Sequence, residues 1–201
     1  MINRGQRTAD SEQQIADTAR CTLSAERCNV RRPSSVIRHL IFWPVFIGGV
    51  ILDLWSKSAV FGWLESRGQD GFTIIDGLLR LQLALNPGAA FGIAEGQRWL
   101  LITVSIAAVI AVVVLFLFSG RAGLLIHITL GLFAAGVCGN LYDRLFNDGL
   151  VRDFIDVTYW PGRHWPAFNV ADSLLCIAVG LLILSTIFTP KSCQKPLQQQ
   201  K

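Results

Sequence analysis

Four apolar runs, each long enough to cross a bilayer as a helix, constrain this chain more than any other feature. They cover residues 40–61, 99–118, 124–142 and 170–188. A helix needs about 20 predominantly apolar residues to span the hydrocarbon core. Charged residues make up only 16% of the 201 residues, against about 25% in a soluble domain, and the shortage is concentrated in these runs. The expected fold is a mainly α membrane protein of four transmembrane helices. The net charge of +4 is small, and no interleaving of basic and aromatic residues points to nucleic acid.

The segments between the runs set the orientation. Residues 1–38 carry Arg4, Arg7, Arg20, Arg27, Arg31, Arg32 and Arg38. They read as a disordered basic tail rather than as the weak amphipathic helix that residues 11–23 could form. Arg121 lies in the short turn at 119–123, and Lys191, Lys195 and Lys201 lie in a polar tail at 190–201. The positive-inside rule places this side, with both termini, in the cytoplasm. The two long loops then face outward. Trp55, Trp63, Trp99, Trp160 and Trp165 fall near that outer boundary, as an interfacial aromatic belt would.

Within residues 62–98, the alternation of Arg80-Leu-Gln-Leu-Ala-Leu-Asn86 has the period of a half-buried strand. With residues 71–75 and the Asp76-Gly77 turn before it, a small outer hairpin or sheet is expected. It ends in Asn86-Pro-Gly-Ala-Ala-Phe91, where Gly88 lets backbone approach backbone or ligand, and a short helix follows. In the third run, Gly131, Ala135 and Gly139 form a small-residue stripe for close helix contact. His127 reads as a hydrogen-bonded packing residue. The five cysteines, Cys21, Cys28, Cys138, Cys176 and Cys193, show no zinc or redox spacing. Cys138 and Cys176 read as small packing residues.

Ionisable groups at membrane depth are functional hypotheses by default. Asp53 and Lys57 share one face of the first run at i, i+4, either as a structural ion pair near the outer interface or as support for a site. The richest stretch is GNLYDRLFNDGLVRDFIDVTYWPGRHWPAFNVAD, residues 139–172, which joins the third and fourth runs on the outer side. Asp172 opens the fourth run, with Asn169 three residues earlier near its N-cap. Asp153 sits in what reads as a loop, in Val151-Arg-Asp-Phe-Ile155. Two carboxyls brought together there cannot both ionise cheaply, so one keeps a proton. Such a pair can deprotonate a water and protonate a carbonyl or leaving amine, which is enough for peptide hydrolysis without a metal or other cofactor. Ser173 with His164 lacks a nucleophile signature, and three scattered histidines are poor metal ligands. Asp143-Arg144 reads as an interfacial salt bridge at a helix end, Asp148 and Asp156 as solvated loop charges, and Arg152 as an exposed loop arginine. A proton-coupled carrier using Asp53, Lys57, Asp143 and Asp172 is the alternative, although it would call for charges near the midplane and internal repeats.

Four motifs in order carry a resemblance: Asp53-Leu-Trp-Ser-Lys57, Asn86-Pro-Gly-Ala-Ala-Phe91, Gly139-Asn-Leu-Tyr-Asp-Arg144 continuing to Val151-Arg-Asp-Phe-Ile155, and Phe168-Asn-Val-Ala-Asp172. The chain resembles the lipoprotein signal peptidases (signal peptidase II), aspartic proteases of the bacterial inner membrane, over about residues 40–190. The resemblance implies cleavage of prolipoproteins just before a diacylglyceryl-modified cysteine, with Asp153 and Asp172 as the catalytic dyad. It makes Asn86, Gly88, Asn140, Asp143, Arg144, Asn169 and Ala171 residues that shape the site, with Asp53 and Lys57 a further supporting pair. It also implies a substrate-cradling extracytoplasmic sheet near residues 72–85, contact with membrane lipids and inhibition by globomycin. The resulting plan is a cytoplasmic tail at 1–38, a four-span peptidase domain at 39–189 and a second cytoplasmic tail at 190–201. Leu54 departs from the glutamine often found there in the family, the N-terminal tail is longer than in many members, and the 144–153 segment is slightly longer than in some.

Overall fold

The computed structural model describes residues 35–88, 94–119 and 123–188. Residues 1–34 of the first tail, with the candidate helix at 11–23, all of the tail at 190–201, residues 120–122 of the short turn, and Ala89, Ala90 and Phe91 with the start of the expected short helix lie outside the described residues. Four helices are long and apolar enough to cross a membrane. They are α1 (Ser35–Ser66), α2 (Arg98–Phe118), α3 (Leu124–Phe146) and α4 (Val170–Phe188). In hydrocarbon every backbone polar group must be satisfied within the segment, which makes the helix the natural state of such runs.

α1 runs well beyond the expected residues 40–61 at both ends. Helical backbone continues past the apolar core at both ends, carrying Pro44 and Gly62 within it, and stops at Gly68. There the backbone turns left-handed (φ +61°), and the Arg67, Gly68 and Gln69 amides bond back to the carbonyls of Leu64 and Glu65, a glycine-terminated helix end.

α3 is the hub, packed against α1, α2 and α4. Its most apolar stretch is 56% buried, against 11–22% in the other three helices, so those three present most of their surface outward, as lipid-facing helices do. The small-residue stripe does what the spacing predicts. A Cβ on Gly131 would stand 3.1 Å from the Phe42 carbonyl oxygen, the Ala135 methyl lies 2.7 Å from where a Cβ on Gly49 would be, and a Cβ on Gly139 would stand 3.2 Å from Ala171 Cβ. An apolar cluster of Phe42, Val112, Phe116, Leu130 and Ala134 closes one end of the bundle.

The opposite end carries an antiparallel sheet of β1 (Gly71–Ile75), β2 (Leu79–Asn86), β3 (Val151–Trp160) and β4 (Arg163–His164), in that order. The expected hairpin forms β1 and β2 around Asp76-Gly77, with Gly77 at φ +70°. The loop expected at residues 151–155 is instead the start of β3. Its charged residues mask the strand pattern, because Asp153 and Asp156 are buried together with Val151 and Phe154. β3 pairs with β2 through Leu81↔Ile155, Ala84↔Asp153 and Asn86↔Val151. A bridge between Ile155 and Phe168 then ties the segment before α4 to β3. This bridge sets the start of α4 beside the start of β3.

Candidate active site

α4 begins with a reciprocal cap. The Asp172 backbone N–H donates to Asn169 Oδ1 (3.0 Å), and the Asn169 backbone N–H donates to Asp172 Oδ2 (3.2 Å). This is the capping-box arrangement, with Asn and Asp in the two positions. It satisfies helix-end donors and fixes the Asp172 carboxylate. The Ile155–Phe168 bridge brings Asn169 to Asp153, where Asn169 Nδ2 donates to Asp153 Oδ1 at 2.6 Å. One asparagine therefore hydrogen-bonds both carboxylates.

Two further asparagines complete the frame. Asn86 Nδ2, from the end of β2, donates to Asp153 Oδ2 (3.0 Å), and Asn86 Oδ1 accepts from the Gly88 backbone N–H (2.9 Å). Asn140 Nδ2, from α3, donates to Asp172 Oδ1 (2.7 Å), while Asn140 Oδ1 accepts from Asn169 Nδ2 (3.1 Å) and Lys57 Nζ (3.0 Å). Both carboxylates and Arg144 line a cavity of about 1020 Å³, whose apolar wall includes Trp165, Pro166, Phe168, Leu175 and Ile177. Burial pushes the Asp153 carboxyl up to about 6, opposed by the Asn86 hydrogen bond, raised by the Asp172 charge, and lowered by Asn169 and Lys57.

Behind the cavity lies a buried ionic cluster. Lys57 Nζ sits 2.7 Å from Asp53 and 3.3 Å from Asp143, and all three side chains are fully buried. Asp53 Oδ1 accepts the Ala171 backbone N–H at 2.8 Å, one of the unpaired donors of the α4 N-terminus. Ala171 thus contributes its backbone rather than its methyl. The Asp53–Lys57 pair links α1 to α3, through Asp143, and to α4, through the Ala171 amide.

Several expectations change. Asp143 and Arg144 do not pair, because adjacent helix residues face different directions. Asp143 points to Lys57 and Arg152. Arg144 donates to the Gly88 carbonyl (3.0 Å) and the Asn140 carbonyl (3.4 Å), which pins Gly88 at the cavity. Arg152 is not a free loop arginine, since its guanidinium clasps Asp143 (2.7 and 3.2 Å) and its backbone N–H also donates there (3.0 Å). Asp156 is buried against His164 (2.8 Å) rather than solvated. Cys176 is exposed on the cavity wall rather than packed.

Ser173 Oγ donates to the Asn169 carbonyl while His164 engages Asp156, so the two have different partners. His127 is the packing residue expected, bonded to the Gly123 carbonyl and Ser119 at the far end of the bundle. Trp55, Trp99, Trp160 and Trp165 are exposed, and Trp63 is half-buried beneath the Arg67 guanidinium. Among the described residues no group of three or more His, Cys, Asp or Glu converges as metal ligands would. The apolar cavity wall was not legible beforehand, because Trp165, Pro166 and Phe168 carry no motif of their own beyond lying next to Asn169.

Four apolar helices capped by a sheet, with acidic groups buried where they meet, define a membrane-embedded enzyme. The fold matches a bacterial membrane enzyme solved by the in meso method at 2.3 Å, with a TM-score of 0.67 and 27% identity, over 82% of this chain and 96% of that one. The chain belongs to the signal peptidase II family, whose profile matches residues 45–188. It is 37% identical over 161 residues to a lipoprotein signal peptidase of Rhodopirellula baltica, covering 74% of this chain and 72% of that one. A second lipoprotein signal peptidase, from Halalkalibacterium halodurans, is 35% identical over 156 residues, covering 78% of this chain and 97% of the relative.

Proposed function

We propose that this lipoprotein signal peptidase is an aspartic endopeptidase, with Asp153 and Asp172 as its catalytic pair. Its substrates would be prolipoproteins already carrying diacylglycerol, cut just before the lipidated cysteine. One observation carries the reading: two carboxylates from different elements share Asn169 as a hydrogen-bond donor and face one cavity. The ionised member of the pair takes a proton from a water held between them, and the water oxygen attacks the scissile carbonyl. The protonated member donates to the carbonyl oxygen as charge develops there. As the carbon–nitrogen bond breaks, the departing amine takes the proton that came from the water, and a hydroxyl of the tetrahedral intermediate returns its proton to the other carboxylate, which restores the singly protonated pair. Asp153, whose proton is held to about pH 6, is the natural donor.

The apolar wall of Leu175, Ile177 and Phe168 suits a signal-peptide side chain or an acyl chain entering from the bilayer. The placement of basic residues supports an inner-membrane protein with cytoplasmic tails at 1–38 and 190–201 and the sheet outside. The supporting roles of Asn86, Gly88, Asn140, Asp143, Arg144, Asn169, Ala171, Asp53 and Lys57 rest on the contacts above. The carrier alternative is not favoured, because Asp53, Lys57 and Asp143 are engaged with one another at one end of the bundle and the family is a peptidase family.

The deciding experiment incubates the purified protein with a lipidated prolipoprotein, with and without globomycin. Conversion that globomycin blocks is expected. An intact, folded protein that leaves the lipidated substrate uncut would refute the reading.

A further inference from the structure

Arg152 plays no part in the chemistry described so far, yet it is built into the site. Successive strand residues face opposite sides of a sheet, so Asp153 looks into the cavity while Arg152 looks back toward α1 and α3. There its Nε and NH2 both donate to Asp143 Oδ1, its backbone N–H donates to Asp143 Oδ2, and NH1 reaches Ser58 Oγ at 3.4 Å. Asp53, Lys57 and Asp143 alone would leave a buried cluster one negative charge in excess. The Arg152 guanidinium brings it to neutrality. We propose that Arg152 is a positioning residue of the peptidase, which neutralises Asp143 from behind β3 so that Lys57 stays on Asn140 and Asp153 stays at the cavity. The inference rests on Asp153 and Asp172 being the reacting pair.

The groups facing the pair are Asn86 from β2, Lys57 and Asp53 from α1, Asn140, Asp143 and Arg144 from α3, and Asn169 from α4. Without the guanidinium, Asp143 Oδ1 loses both of its donors. Lys57 is then the cation next to two buried carboxylates, and it is drawn from Asn140, the amide that holds Asp172. The cluster becomes negative, which favours protons on the nearby pair.

The test is the pH profile of kcat/KM for the purified peptidase on a lipidated prolipoprotein. Arg152→Gln is expected to lower kcat about tenfold, one lost hydrogen-bonded contact to a charged group. KM should change little, because the side chain faces away from the cavity. The profile should move to higher pH by about half to one unit, the scale of one charge acting through protein at about 10 Å. Arg152→Lys keeps the charge and should restore the position of the profile but not the full kcat. Adding Asp143→Asn to Arg152→Gln removes the uncompensated charge and should bring the profile back. An unmoved profile in Arg152→Gln, or a raised KM with unchanged kcat, overturns the proposal. If Arg152→Gln does not fold, the double variant should, and a double variant no better than the single overturns it as well. The two readings fail separately, since an active Asp153→Asn refutes the catalytic pair and an unmoved profile in Arg152→Gln refutes the role of Arg152.

Discussion

Three asparagines, Asn86, Asn140 and Asn169, hold two aspartates in place because an amide can donate and accept at once. Each aspartate depends on a different pair of donors, and Asn169 serves both. Asp153→Asn and Asp172→Asn are each expected to lower prolipoprotein cleavage by at least about 10³-fold, because general acid–base work supplies about 10²–10⁴ for each group. Retained insertion and thermal stability would locate the loss in chemistry. Near-normal cleavage in either variant would rule out that residue. The raised Asp153 carboxyl also has a stability consequence. Its folded form holds a proton to about pH 6 against an ordinary 3.8, so the native state binds more protons in this window and stability falls as pH rises through it. Asp153→Asn should therefore unfold at higher temperature than the parent at pH 7.5, by about 1–2 kcal/mol after allowing for a lost hydrogen bond. Thermal scans in detergent should show the gap closing towards pH 4. In the free enzyme the Asp153 carboxyl loses its proton as pH rises past about 6, so kcat/KM is expected to fall on the alkaline side of that value.

At the scale of elements, the site is a junction of helix ends and a strand end. The α3 helix approaches α1 and α4 closely enough that Gly139 has no room for a side chain. A Cβ there would run into Asp53 Oδ2 and come within 3.2 Å of Ala171 Cβ. Gly139→Ala is expected to destabilise by about 1–3 kcal/mol through overpacking and to lower activity by displacing the Asp53 carboxylate from the α4 N-terminus. Gly180→Ala, where a Cβ meets open space, is the control and should lie within about 0.5 kcal/mol of the parent. Comparable losses in both would mean that helix glycines are generically sensitive here. Element types were legible where one pattern dominated, as in the four apolar runs and the β1–β2 hairpin. They were illegible in β3, because Asp153 and Asp156, three residues apart and so on opposite faces, are both buried, which no alternation of polar and apolar residues foretells. Those residues can be buried only because Asn86, Asn169 and His164 reach them from other elements.

At the scale of the whole molecule, orientation decides whether the site meets exported substrates. The sheet and cavity lie at one end of the bundle, and Ser119 and His127 lie at the other. In a background lacking Cys21, Cys28, Cys138, Cys176 and Cys193, Gly162→Cys in the β3–β4 turn is expected to react with a membrane-impermeant maleimide in intact spheroplasts. Ser119→Cys should react only after lysis. The reverse pattern would invert the topology and place the cavity on the cytoplasmic side, where exported prolipoproteins could not reach it.

The sequence by itself determined the four apolar helices and the hairpin, because each is written in local composition, and its ordered motifs singled out two carboxylates that the fold brings to one cavity. Partner choice was decided only by the tertiary structure. Asp143 turned from its neighbour Arg144 to Lys57 and Arg152, Asp156 found His164, and Ala171 offered its backbone to Asp53. A buried charge takes whichever counter-charge the packing of distant segments delivers, and its adjacent residue on a helix faces elsewhere. Electrostatic pairing is thus a property of the assembled bundle, whereas hydrophobic length is a property of the chain.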